Sequence, residues 1–227
     1  MIQSRWLLLS VWCLSLLPFN SKFENRHVFK WDAALKRSVD SVYGGRDKVF
    51  YRLAQVYSES GFNPLATSDY GGWKKAGLDT VAGIKQGKGA AGVTQFIWST
   101  ATMYGAKGVD PAEAFSKVER PVLYNPFWGI RAMSRYMLFI EQYLIATKNP
   151  KVRHRMMFDE KLCELVATAG YNTGPARLKN RLEKHGANWE VLKLTILSEP
   201  RDYAEKIVRI ADQMRKEERW AKLKSGR

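Results

Sequence analysis

One carboxylate in this chain stands where a carboxylate can do chemistry. Glu59 lies near the start of ESGFNPLATS (59–68), at the end of a stretch in which Val49, Phe50, Leu53, Val56 and Tyr57 recur at helical spacing. Gly61 and Pro64 follow, so the spacing predicts a helix that stops near Ser60. On a helical wheel Glu59 falls at the border of the apolar stripe. A carboxyl there is partly dry and can still face a cleft. Loss of water disfavours the ionised form and raises the pKa, which a general acid working near neutral pH requires. The ordinary alternative is a solvated Glu at a helix end. Other chemistries have less to stand on. His27, His154 and His185 are widely spaced and form neither a ligand set nor a triad pattern. There is no glycine-rich phosphate loop followed by Lys and Ser or Thr. No metal site and no cofactor is expected.

Two later segments, GAAGVTQFIWSTATMYG (89–105) and LVATAGYNTGPARL (165–178), give Glu59 a context. With ESGFNP (59–64) they resemble, in order, the three motifs of the family 1 lytic transglycosylases, the soluble-lytic-transglycosylase type of lysozyme-like domain. The family pattern is an ESGFNP-like motif, a GLMQ-like motif leading into a PSTA-like helix start, and an AYNAG-like motif. The resemblance covers about Trp31 to Ala211. It implies a mainly α, lysozyme-like domain that cleaves the MurNAc–GlcNAc β-1,4 bond of peptidoglycan without consuming water. Most glycosidases use two carboxylates, one of them an acid of raised pKa. The motifs here supply one. In the resembled family a single Glu is acid and then base, and the substrate's N-acetyl group stands in for a protein nucleophile. The muramic 6-hydroxyl then closes a 1,6-anhydro ring.

The resemblance assigns residues one by one. Glu59 is the acid and base. Ser60 completes the ES pair. Ser68 fits a serine near the acid that assists around the N-acetyl group, and as plain structure it would be a turn residue. Gln95 fits the glutamine that hydrogen-bonds inside the cleft, and otherwise it would cap a helix. Tyr171 and Asn172 fit the YN pair, with the phenol near the acid and the amide on the cleft wall; otherwise they are satisfied core polars. Some positions depart from the pattern. Val93 and Thr94 replace Leu and Met, and the Met usually packs on the N-acetyl group. Trp98 stands where Pro is common, and Gly170 and Thr173 replace alanines. About twenty residues, 69–88, look inserted after Ser68, with Asp69, Tyr70, Trp73 and Asp79 suited to a cleft rim. A goose-type lysozyme-like hydrolase, with Asp69 or Asp79 as base, and a non-catalytic wall-binding or assembly protein are the alternatives.

The elements that must position these groups are helices. Periodicity predicts them over about 27–42, up to Ser60, near 98–103, and over 126–147. Further ones follow around 162–169, 175–184 and 188–195, and a last one is capped by Ser198. Gly44 and Gly45 should break the first. Residues 67–92 read as a long loop, and a small β-hairpin inside 67–95 is compatible with the pattern. Residues 105–122 look irregular.

With 227 residues the chain is large enough for one domain with a core and no disulfides. Cys13 lies in the N-terminal apolar run and Cys163 reads as a buried thiol. Residues 6–19 are uncharged and mostly apolar. As a helix they would span about 21 Å, short of the ~30 Å hydrocarbon core. They therefore suit a signal h-region or a marginal anchor. The expected organisation is a signal peptide or N-terminal membrane anchor at 1–22, the lysozyme-like domain at 27–214 and a basic, solvated tail at 215–227. That places the protein outside the cytoplasm, in the periplasm or cell envelope. The 37 Lys and Arg exceed the 22 Asp and Glu by 15, a field that favours polyanions. The acidic wall is the expected partner, with a secretion, conjugation or phage-entry machine as the setting the resemblance leaves open. Nucleic acid would explain the charge but not the three motifs.

Overall fold

The computed structural model describes residues 36–37, 39–44, 48–63, 66–68, 90–97, 100 and 125–224. Over these the chain is mainly helical, as the periodicity predicts, with one small sheet. The helices are α1 (Val49–Ser60), α2 (Pro126–Ile145), α3 (Pro150–Phe158), α4 (Glu160–Thr173), α5 (Pro175–His185), α6 (Trp189–Leu192) and α7 (Ser198–Lys224). Residues 36–37 and 39–43 are also helical, and Gly44 stops them as expected, at φ +61° with its N–H on the Asp40 carbonyl. Three strands, β1 (Thr67–Ser68), β2 (Ala90–Ala91) and β3 (Phe96–Ile97), pair antiparallel in that order. The N-terminal run at 6–19, the stretch 69–88, the irregular 105–122 and all of 98–103 but the helical Thr100 lie outside the described residues. Among the described residues no helix is long and apolar enough to cross a membrane.

The chain forms two compact units. One holds the described residues up to Arg135 and those from Gln213 onward; the other is Tyr136–Asp212. In the first, α1 and the sheet are the parts that matter for chemistry. Its buried apolar side chains include Val39, Tyr43, Tyr51, Val56, Phe62, Val93, Phe96, Ile130 and Met133. Asn125 starts α2, its side-chain oxygen accepting from the N–H groups of Phe127 and Trp128 at 3.0 and 3.3 Å, with Pro126 as first residue. The final helix runs on to Lys224, so residues 215–224 of the basic tail are helical. Arg215 shows what holds its beginning: the guanidinium lies 4.2 Å over the Tyr51 ring and 5.7 Å from that of Phe50.

In the second unit α4 is the central element. Every residue from Leu162 to Gly170 is buried, a helix covered all round rather than on one stripe. Helices α3, α5 and α6 pack on it. Asp159 ends α3 and caps α4, accepting from the Leu162 N–H at 2.9 Å. Helix α3 was absent from the sequence expectation, although Asn149-Pro150 announces it. Asn149 accepts from the N–H groups of Lys151 and Val152 just as Asn125 does for α2. Helix α6 is shorter than the expected 188–195, passing into a 3-10 turn over Lys193–Thr195. Helix α7 begins at Ser198 rather than being capped by it. Lys193 pairs with Glu190 at 2.6 Å and Glu205 at 3.6 Å, and the Trp189 indole N–H donates to Glu205 at 2.9 Å, fastening α6 to α7.

Gly170, one of the departures from the family pattern, is closely packed in this unit. A Cβ there would lie 3.2 Å from the Ile140 Cγ2 and 3.4 Å from the Leu178 Cδ2. Gly170→Ala is expected to be nearly neutral, because a gain of about 1 kcal/mol in helix propensity offsets a small shift of a side-chain methyl. Gly170→Val is expected to lower stability by about 1–3 kcal/mol through overpacking. Urea unfolding midpoints of the two variants check both.

Candidate active site

The end of α1 is held open in the left-handed region. Gly61 has φ +58° and returns its N–H to the Tyr57 carbonyl at 2.8 Å, the helix stop that the sequence predicts. Phe62 also has a positive φ, +64°, unusual for a bulky residue. Its ring is buried, 5.9 Å from that of Tyr57, and this packing holds the strained backbone in place. The chain then turns through Asn63 N–H to Ser60 carbonyl and Ala66 N–H to Asn63 carbonyl. It enters β1, where Ser68 pairs with Ala90.

The GVTQ turn, residues 92–95 between β2 and β3, is tied onto this helix end. Gly92 donates its N–H to the Ala66 carbonyl at 2.9 Å. The Gln95 side chain donates from Nε2 to the same carbonyl at 3.0 Å and to that of Gly92 at 2.8 Å. Both acceptors are carbonyl oxygens, so the amide orientation is fixed by chemistry: NH2 faces the backbone, and Oε1 is left as an acceptor. Gln95 itself adopts φ +48°. Ser60 donates from Oγ to the Val93 carbonyl at 3.0 Å and to that of Val56 at 3.2 Å. One hydrogen is thus shared between two protein acceptors, and only the oxygen lone pairs of Ser60 remain for a ligand. Glu59, Ser60, Ser68 and Gln95 therefore sit on backbone segments bonded directly to one another in a single unit.

Glu59 is half-buried. The buried side of α1 differs from the expected apolar stripe. Val49, Phe50, Leu53 and Tyr57 are only half-buried, whereas Tyr51, Arg52, Ala54, Gln55 and Val56 are buried. Arg52 is 0 % exposed and donates from Nη1 to the Gln55 side-chain oxygen at 2.8 Å. Arg52, Gln55 and Glu59 fall at i, i+3 and i+7, one face of the helix. A count of apolar residues missed this face because its members are polar. An uncharged partner spaced three residues from a lone Arg, inside a helix, was the available signal. Thr94 is fully buried, its Oγ1 3.3 Å from where a Cβ of Gly129 would lie, so it packs beneath α2.

Tyr171 and Asn172 belong to the second unit, at the end of α4. Tyr171 is half-buried, its ring 5.5 Å from that of Tyr136 and tilted by 51°. Tyr136 continues along α2 to Phe139 and Tyr143, with centroids 6.4 and 5.8 Å apart. Asn172 is exposed, which sets aside the alternative that it is a core polar. Thr173 returns its hydroxyl to the Ala169 carbonyl at 2.7 Å, and Gly174, at φ +84°, ends the helix. Glu141 and Glu164 are buried in this unit and were not singled out by the sequence reading. Among the described residues no group of three or more His, Cys, Asp or Glu is placed to hold a metal.

The Gln95 geometry gives a test. In Gln95→Glu a carboxylate would face two carbonyl oxygens and could donate to neither. That variant is expected to lose about 1–3 kcal/mol, the cost of leaving such groups unsatisfied. Chemical denaturation at neutral pH measures it.

Comparison with known proteins agrees with this arrangement at the level of family. No curated protein and no solved structure matches the chain. The transglycosylase SLT domain matches residues 39–190, well over half of the sequence, from the helical residues before Gly44 to the start of α6. That domain is lysozyme-like, and its family comprises lytic transglycosylases that act on peptidoglycan. The chain, with ESGFNP, GVTQ and GYNTG all inside the match, belongs to the transglycosylase SLT domain family.

Proposed function

We propose that the protein cleaves the MurNAc–GlcNAc β-1,4 bond of peptidoglycan non-hydrolytically, with Glu59 as the sole proton-transfer group. The observation that carries the reading is a half-buried carboxyl in the last turn of α1, next to the Ser60 tie to the GVTQ turn. Half-burial limits the water around the group and still leaves it within reach of a bound sugar, the setting a general acid requires.

The step balances with one carboxyl. Glu59 gives its proton to the bridging oxygen as the C1–O4 bond breaks, and GlcNAc leaves with a free 4-hydroxyl. The N-acetyl oxygen of MurNAc supports the electron-poor C1. Glu59, now a carboxylate, takes the proton of the muramic 6-hydroxyl as O6 bonds to C1. The product ends in 1,6-anhydroMurNAc and the acid is restored. In this reading Gln95 accepts a hydrogen bond from the sugar through Oε1. Ser60 sets the position of the acid, and the family resemblance assigns Ser68, Tyr171 and Asn172 to substrate binding. Peptidoglycan lies outside the cytoplasm, so the proposed location is the periplasm or cell envelope, with residues 6–19 as leader or anchor.

Glu59→Gln keeps the shape and removes the proton. Turnover on purified sacculi is expected to fall by roughly 10²–10⁴-fold, the usual contribution of a general acid. Mass spectrometry of wild-type products is expected to show muramyl ends one water lighter than reducing ends. Reducing ends from the wild type, or undiminished cleavage by Glu59→Gln, would falsify the proposal.

A further inference from the structure

Helix α3 is fastened by two side chains and shows the rest of itself to solvent. Val152 and Met156 are buried. Every other residue from Pro150 to Phe158 is exposed. Lys151, His154, Arg155 and Phe158 fall at i, i+3, i+4 and i+7, one outward face. The His154 ring lies 4.5 Å from that of Phe158, so the two share this face. An aromatic here has no core to enter. Phe158 is 74 % exposed, and its neighbour Met157 58 %.

The charge around this apolar tip is of one sign. From Gln142 to Phe158 the chain holds no Asp or Glu, while Lys148, Lys151, Arg153 and Arg155 are all exposed. Arg153 turns back to the Thr147 carbonyl at 2.8 Å. Lys148, Lys151 and Arg155 are in no ion pair with a described residue. The acids that follow, Asp159 and Glu160, belong to the start of α4, where Asp159 accepts from the Leu162 N–H at 2.9 Å. Free cations beside an exposed apolar tip fit an anionic partner that also takes up apolar carbon.

Size and composition choose among such partners. Two apolar side chains fall far short of the roughly 800 Å² that each side of a stable protein interface buries. Nucleic acid would engage the cations through its phosphates and leave Phe158 and Met157 in water. A bilayer uses both parts. Large apolar side chains enter the boundary between headgroups and acyl chains, and Lys and Arg meet anionic lipid at the surface.

We propose that the outer face of α3 docks on an anionic phospholipid surface, with Phe158 and Met157 inserted and Lys148, Lys151 and Arg155 on the lipid phosphates. The contact is peripheral and uses the second unit alone. It stands whether or not Glu59 is the acid.

The test uses full-length protein and vesicles of two kinds, an equal mixture of phosphatidylcholine and phosphatidylglycerol, and phosphatidylcholine alone. Cosedimentation is expected to show tighter binding to the anionic vesicles, by roughly fivefold for each basic side chain at the surface, and to weaken as salt rises. The change Lys151→Gln, Arg155→Gln is expected to lower that affinity roughly 25-fold. The change Met157→Ser, Phe158→Ser is expected to lower it roughly tenfold or more. All four positions are exposed, so the fold is retained. In a separate variant, Phe158→Trp, the added indole emission is expected to be quenched by phosphatidylglycerol brominated on its acyl chains. That readout reports on this position even where another part of the chain also binds lipid. An added emission that stays unquenched overturns the proposal, and so does an affinity for anionic vesicles that both double changes leave intact. A dimer in lipid-free solution that Met157→Ser, Phe158→Ser dissolves overturns it in favour of a second copy of the chain.

Discussion

Two backbone carbonyls, those of Ala66 and Val93, hold the acid-bearing helix end and the GVTQ turn as one piece. Val93 accepts from Ser60, the neighbour of Glu59. Ala66 accepts from both the Gly92 N–H and the Gln95 side chain. These bonds account for two left-handed residues, Phe62 and Gln95, that would otherwise be unfavourable. Gly61 and Phe62 turn the chain so that Ala66 can present its carbonyl, and Gln95 turns so that its side chain can reach back to it. Strain of order 1–3 kcal/mol at a non-glycine position persists only where surrounding contacts over-determine it. Here those contacts are the Phe62 packing and the two Gln95 hydrogen bonds. Ser60 and the amide NH2 of Gln95, which would read as ligand contacts from sequence, are spent on holding the scaffold.

Beneath that helix end runs a second constraint. A fully buried Arg is among the costlier groups to place in a protein interior, and Arg52 is buried on the face of α1 that leads to Glu59. Its hydrogen bond to Gln55 is one of the contacts that make the burial tolerable. Turning the helix about its axis would bring the buried Arg52, Tyr51 and Val56 toward water. Arg215 reinforces the fit by lying over the Tyr51 ring.

Helix boundaries were legible in the sequence where a glycine breaks the pattern, as at Gly44 and Gly61. Apolar periodicity does not mark a helix that buries few residues. Helix α3 has only Val152 and Met156 buried, too few for a periodic stripe, yet Asn149-Pro150 specifies its start. The end of α7 has no apolar pattern to read for a related reason: a helix whose preceding turns bury Ile207, Ala211 and Met214 can propagate through residues of mixed charge. The sheet was only half legible. Two-residue strands carry no alternation to read, and β1 pairs with a strand more than twenty residues away. Of the site, residue types and order were legible. Which hydrogen of Gln95 or Ser60 goes where depends on carbonyls that no side-chain pattern encodes.

The departures from the family pattern follow one logic. Thr94 is buried and packs against the bare backbone of Gly129. Gly170 lets Ile140 and Leu178 close on α4. Thr173 bonds its hydroxyl to the helix it ends, at Ala169. In each case the changed side chain, or its absence, is matched by a neighbour inside the same unit. None of the three supplies a proton-transfer group. Such positions can vary because packing at one of them is balanced locally. Glu59 has no local substitute, because among the motif residues no other side chain is a carboxylic acid.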